Sequence, residues 1–206
     1  MLQFITNASD RYSILQQVKM VVEGGCSWVQ LRMKDASYDE LKATALDIIP
    51  TCRDNDVILV IDDNVELVNE LRVHGVHLGK DDMPAREARE LLGPHAIIGV
   101  TANTADDIIA MRGIDVDYVG LGPFRFTTTK KKLSPTLGLD GYKSIITEVR
   151  KAGIELPVVA IGGITIDDIS DIMATGVNGV AMAGSIINAP DPVKYTNDVL
   201  KILTGN

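Results

Sequence analysis

Gln30, Arg32 and Lys34 stand two residues apart, so that an amide and two cations share one short segment. In an extended chain, period-two alternation turns all three to the same side. Two cations held together call for an anion between them. A solvated surface edge is the alternative, although Gln30 sits among core-type residues. Farther on come two acidic pairs, Asp62-Asp63 and Asp81-Asp82. Carboxylates gathered near a phosphate site are a usual way to hold Mg²⁺, which keeps several waters and bridges to substrate oxygens. Helix capping competes as the reading of any one of them. Asp63 precedes a helical pattern over 64–71, and Asp82 precedes Pro84. With two pairs at the ends of adjacent strands, the metal reading becomes its equal.

Two glycine-rich segments follow, Ile161-Gly162-Gly163-Ile164 and Met182-Ala183-Gly184-Ser185. Glycine lets backbone N–H groups approach a phosphate, and a helix starting near Ser185 adds its positive end. Tight turns would use the same residues. The long segment 122–139 carries Arg125, Lys130, Lys131 and Lys132 and no acid. A solvated lysine run is one account of it. The Thr127-Thr128-Thr129-Lys130 run, with three hydroxyls and an ammonium, better suits an oxyanion cradle in a functional lid. Of the histidines, His77 is expected to fill the protein interior, while His74 and His95 occupy turn-like positions. Neither a Gly-x-Ser-x-Gly elbow nor a His/Cys metal cluster is present. The chemistry on offer is anion holding with a cation, without a covalent nucleophile.

These groups share a position: each follows a short apolar run. The runs are LQFIT, SWVQLR, VILVID, GVHLG, AIIGVT, DYVGLG, PVVAIGG and GVAMAG, and amphipathic segments separate them. The segment 38–53 repeats Leu41, Ala45, Ile48 and Ile49 at helical spacing. Ser37, Thr104 and Thr165 stand as helix N-caps before acidic first turns. Eight strand–helix repeats without a composition break predict a single-domain α/β fold spanning 1–206, a (β/α)8 TIM barrel rather than a doubly wound open sheet. In such a barrel the carboxyl ends of all strands meet on one face, where barrel enzymes keep their active sites.

The chain has 206 residues, 46% hydrophobic and 23% charged, which suffices for a substantial core. Aromatics make up only 4%, leaving branched aliphatics, alanine and glycine to build it. A net charge of −8 excludes a basic stripe for nucleic acid. No apolar run is long enough for a membrane span, and the N-terminal residues lack the pattern of a secretion signal. Cys26 and Cys52 are expected to be buried thiols in a reducing compartment, so the cytoplasm is the expected location.

The segments VQLRMKD, VIDDN, GVHLGKDDMP, GVTANT, DYVGLGPFRFTTTK, AIGGI and GVAMAGS, in this order, resemble the thiamine phosphate synthase family over residues 26–185. The QxRxK and TTTK elements carry the most specific part of the likeness. The resemblance implies a barrel transferase joining hydroxymethylpyrimidine diphosphate to hydroxyethylthiazole phosphate, with release of pyrophosphate. It implies that Gln30, Arg32 and Lys34 hold the diphosphate substrate and that Asp63 and Asp82 ligate Mg²⁺, with Asp62 beside the substrate. Thr101 and Lys130 would contact the diphosphate or the pyrimidine. Thr127, Thr128, Thr129, Gly163, Ala183 and Gly184 would bind the thiazole phosphate. Lys130, Arg32 and Lys34 are then the expected catalytic groups, acting on a diphosphate that leaves in a dissociative reaction.

Some positions depart from the family pattern. Asp62 stands where Asn is usual, Lys80 where Gln is usual and Asn103 in place of a frequent His; Ala183-Gly184-Ser185 replaces a bulkier apolar-Ser pair. The runner-up reading is a thiazole tautomerase on a similar barrel, against which the retained QxRxK, aspartates and Lys130 argue. A non-catalytic phosphate-ligand sensor is the third. Expected partners are small-molecule substrates and a second copy of the chain in a homodimer, with no nucleic acid and no membrane.

Overall fold

The structure is a computed structural model that describes residues 1–126 and 135–205. Its strands are β1 (Leu2–Ile5), β2 (Trp28–Leu31), β3 (Ile58–Asp62), β4 (Gly75–Leu78), β5 (Ile97–Ala102), β6 (Tyr118–Leu121), β7 (Val158–Ile161) and β8 (Gly179–Met182). The helices are α1 (Ile14–Glu23), α2 (Tyr38–Asp54), α3 (Val65–Leu71), α4 (Ala85–Leu92), α5 (Ala105–Ile109), α6 (Gly138–Lys151), α7 (Ile169–Met173), α8 (Gly184–Ile187) and α9 (Pro192–Thr204). Seven strands lie within their apolar runs, and β5 runs one residue past AIIGVT, to Ala102. They pair in parallel, each with its successor, and β8 returns to β1 with Leu2 opposite Val180 and Phe4 opposite Met182. That last pairing closes the barrel and excludes the open sheet.

Alternation along each strand sorts side chains into two layers. Ile5, Trp28, Tyr118, Val159 and Ala181 pack together in one. The neighbours of these residues, among them Phe4, Val29, Val119, Ala160 and Val180, belong to a second, larger cluster shared with helix residues such as Val21, Ile48, Leu67, Ile108 and Tyr142. Each fully buried aliphatic or aromatic side chain contributes about 1.5–3 kcal/mol of hydrophobic stabilisation. The second layer therefore holds the helices to the strands, and the first fills the barrel.

Helix starts follow local chemistry. The Ser37 N–H donates to Glu40 Oε2 at 2.8 Å, while the Ser37 hydroxyl accepts from the Glu40 N–H, a reciprocal cap that fixes the start of α2. Thr104 and Asp107 do the same for α5. Thr165 and Asp168 cap only a single 3₁₀ turn, residues Ile166–Asp168, ahead of α7. Pro50 lies inside α2 without ending it, and the helix runs one residue beyond the 38–53 pattern. Such caps are worth about 1 kcal/mol each and set where each βα loop ends.

Candidate active site

At the carboxyl ends of the strands the barrel opens into a cavity of about 710 Å³. Gln30, Arg32, Lys34, Asp62, Asp63, Asp82, Thr101, Gly163, Ala183 and Gly184 all line it. Thr127, Thr128, Thr129 and Lys130 lie outside the described residues. β2 ends at Leu31, so Arg32 and Lys34 belong to the loop after it. They reach the same cavity as Gln30 nonetheless. Thr6, at the end of β1, supports this loop: the Arg32 N–H donates to the Thr6 hydroxyl at 2.8 Å, which in turn donates to the Arg32 carbonyl at 3.2 Å.

Asp62 organises the charged side of the mouth. It accepts from Gln30 Nε2 at 2.5 Å and pairs with Arg32 Nε at 3.2 Å. The guanidinium carries further donors on its two terminal nitrogens. Gln30 is buried, and its Oε1 has no partner among the described residues. An unmet buried acceptor costs about 1–3 kcal/mol, so a ligand N–H placed here would be rewarded. The amide nitrogen, the half that could have served a phosphate, is committed to Asp62.

Capping does not account for the acidic residues. Asn64, not Asp63, caps α3, accepting from the Leu67 N–H at 2.8 Å. Asp82 accepts from the Gly79 N–H at 2.6 Å and leaves the start of α4 to Pro84, which has no side-chain cap bond. Asp63 is instead held at φ +64°, a strained region for a non-glycine residue, with its N–H donating to the His77 carbonyl at 2.8 Å. Burial, the Asp62 charge and the hydrogen bond and charge of Asp82 push the Asp63 carboxyl up to about 8, with Arg32 acting the other way. Among the described residues no three His, Cys, Asp or Glu side chains form a complete metal cluster. Two carboxylates in a region already overloaded with negative charge nevertheless suit a hard dication, because Mg²⁺ takes its remaining ligands from water and substrate oxygens.

The opposite side of the mouth is built from backbone. Gly163 has φ +68°, and a Cβ there would stand 2.5 Å from Arg125 Cγ. α8 is one turn long, so what it brings to an anion is the N–H groups of its first turn rather than a long helix dipole. Arg125, expected as part of a basic lid, is tied down: it forms a two-pronged pair with Asp168 at 2.8 and 2.6 Å and donates to the Gly163 carbonyl at 3.0 Å. Two departures from the family pattern also face neighbouring loops. Lys80 Nζ donates to Asp107 at 2.6 Å, and Asn103 Nδ2 to the Gly122 carbonyl at 2.6 Å.

His77 is buried, as expected, but sequence reasoning missed its partners Gln3 and Tyr118, which are buried with it and hydrogen-bonded in series through it to Thr101. A signal existed. Gln3 is a polar residue two positions from Ile5, and period-two alternation puts both on the same face as Trp28 and Tyr118.

Comparison with known proteins agrees with this architecture. The family model described as thiamine monophosphate synthase matches residues 2–186. A thiamine-phosphate synthase of Bacteroides fragilis is 56% identical over 98% of both chains. One of Flavobacterium psychrophilum is 39% identical, again over 98% of each. Among solved structures, a thiamine phosphate pyrophosphorylase from Pyrococcus furiosus superposes with a TM-score of 0.86 at 29% identity, covering 99% of this chain and 95% of that one. An orotidine 5'-phosphate decarboxylase from Pyrococcus horikoshii, at 13% identity and TM-score 0.68, shares the fold alone. With a family model matching nearly its whole length, and relatives alike from end to end, the chain belongs to the thiamine monophosphate synthase family.

Proposed function

We propose that the chain joins hydroxymethylpyrimidine diphosphate to hydroxyethylthiazole phosphate, yielding thiamine phosphate and pyrophosphate, by a dissociative route. The observation that carries this reading is one cavity with two unlike sides, one of charged side chains and one of glycine-rich backbone. The cationic side, with Arg32 and Lys34, suits a group whose negative charge grows during reaction. The glycine side, with Gly163 and Gly184, suits a phosphate that stays unchanged. Lys130 and the threonines at 127–129 are assigned by motif to the leaving group and to the thiazole phosphate respectively.

Asp63 and Asp82 would hold Mg²⁺, which when bound would neutralise charge on the diphosphate. Arg32 and Lys34 orient that diphosphate and follow its charge as it departs. Gln30 offers its unmet Oε1 to an amino group of the pyrimidine, so this side chain reads the ring instead of the phosphates. The carbon left behind is cationic, and the thiazole nitrogen captures it. Positioning and charge stabilisation are all that such a reaction asks of the protein. No helix among the described residues is long and apolar enough to cross a membrane. We place the enzyme in the cytoplasm, where the buried free thiols Cys26 and Cys52 stay reduced.

The decisive experiment combines the protein, Mg²⁺ and both substrates and follows thiamine phosphate and pyrophosphate, which should appear in equal amounts. Isomerisation of thiazole phosphate with no need for the diphosphate would identify a tautomerase. Binding without turnover would identify a sensor. For the dissociative route, replacing the pyrimidine methyl group by trifluoromethyl should slow single turnovers by orders of magnitude, each tenfold matching about 1.4 kcal/mol of barrier. An unchanged single-turnover rate would point to direct displacement.

A further inference from the structure

We infer that Gln3, Tyr118 and His77 form a positioning chain through the barrel interior that makes the Thr101 hydroxyl an obligate hydrogen-bond donor to the pyrimidine diphosphate. The inference rests on the reaction proposed above. Gln3 Nε2 donates to the Tyr118 hydroxyl at 3.0 Å. That hydroxyl lies 2.9 Å from His77 Nδ1, and His77 Nε2 lies 3.0 Å from Thr101 Oγ1. Gln3, Tyr118 and His77 are 2%, 3% and 6% exposed, and of the four residues His77 and Thr101 line the cavity.

The direction of each bond follows from counting protons. An amide nitrogen can only donate, so the Tyr118 oxygen accepts from Gln3. Gln3 and His77 are the hydrogen-bond partners of the Tyr118 hydroxyl among the described residues. Its single proton therefore goes to His77 Nδ1, and the neutral imidazole must carry its own proton on Nε2. A doubly protonated ring would also donate from Nε2. In both states Thr101 Oγ1 accepts from His77, so its own hydroxyl proton is not spent on that partner and is available to an acceptor in the cavity. A threonine without this partner could rotate to accept instead of donate, so the chain removes an ambiguity that a ligand would otherwise have to resolve.

The barrel is shaped to hold these rings. A Cβ on Gly99 would lie 2.1 Å from the Tyr118 ring, and one on Gly120 would lie 3.0 Å from His77 Cε1. The Tyr118 ring thus occupies space that Gly99 leaves open, and His77 sits tightly against Gly120. Trp28 meets Tyr118 edge-on at 4.7 Å and blocks lateral motion. A plain aliphatic interior would need neither glycine.

The test is a double-mutant cycle read in kcat/KM for the pyrimidine diphosphate, with KM for thiazole phosphate and thermal unfolding measured alongside. Tyr118→Phe keeps the ring and deletes the hydroxyl. It should lower kcat/KM about three- to tenfold, the range expected for one neutral hydrogen bond, and leave KM for thiazole phosphate unchanged. Thr101→Val should cost about tenfold or more, and Tyr118→Phe should add nothing in that background. Two substitutions at His77 probe the chain from the other end. His77→Gln can still donate from the Nε2 position and should retain most activity, while His77→Asn serves only Tyr118 and should resemble Thr101→Val. Additive losses, equal losses for Gln and Asn, or an effect confined to unfolding temperature would overturn the chain. An inactive wild type would overturn the reaction itself, and the chain with it.

Discussion

The two sides of the barrel mouth are made of different material. Between β2 and β4 the cavity is walled by charged side chains, Arg32 and Lys34 against Asp62, Asp63 and Asp82. Between β7 and β8 it is walled by glycine and alanine, with Gly162, Gly163, Ala183 and Gly184. Side-chain charges on the first wall interact with a partner in proportion to its charge, and so respond when that charge changes along a reaction. Backbone N–H groups, which the second wall offers, would hold an anion by fit, much the same before and after. On the function proposed above, the difference assigns chemistry to the first wall and retention to the second, a division that kinetics can test through kcat and KM separately.

The largest effect is expected at the acids. Asp82→Ala should lose about a hundredfold or more in kcat, on the scale of losing one group that stabilises developing charge. The variant should remain folded, because Asp82 caps no helix and its bond from the Gly79 N–H is worth only about 1 kcal/mol. Excess chelator should do the same to the wild type. Full turnover under chelation would remove the metal from the charged wall and leave the comparison without its first half.

A smaller effect should separate Lys130 from its neighbours. A charge-assisted contact in a closed site is worth about 1.5–3 kcal/mol, so Lys130→Ala should lower kcat about ten- to a hundredfold while Lys132→Ala changes little. Equal, small effects at both would return the lysine run to the solvent and leave Arg32 and Lys34 as the cations at the leaving group.

Smallest and most diagnostic is the glycine wall. Gly163→Ala combines a left-handed φ with a clash against Arg125, so the loop must shift. It should raise KM for thiazole phosphate roughly tenfold, corresponding to about 1.4 kcal/mol, with kcat within about twofold. Thr128→Ala should act in the same sense by a few-fold, as loss of one neutral donor of about 1 kcal/mol predicts. A fall in kcat at unchanged KM in either variant would make the second wall part of the chemistry and erase the contrast.

Much of this was legible in residue order. Strand periodicity and capping residues located all eight strands and the starts of α2 and α5, because those signals are local: an alternating pattern or a Ser-x-x-Glu box needs no distant partner. The same locality placed Gln30, Arg32, Asp63, Asp82 and Gly163 at strand ends, and barrel geometry then implied one common mouth. What sequence order could not settle was partnership. Whether Asp63 caps a helix or faces a cavity depended on Asn64 taking the cap and on Asp82 arriving from the loop after β4. Whether Arg125 meets a ligand depended on Asp168, 43 residues away. That Gln30 gives its amide nitrogen to Asp62 depended on β2 and β3 standing side by side, and Gln3, Tyr118, His77 and Thr101 became one chain only when β1, β4, β5 and β6 curved around a shared interior. A residue's type and its immediate neighbours determine which element it joins and which face it occupies. Only closure of the barrel decides which donors and acceptors meet across that interior, because a hydrogen bond acts over about 3 Å and sequence separation says nothing about that distance.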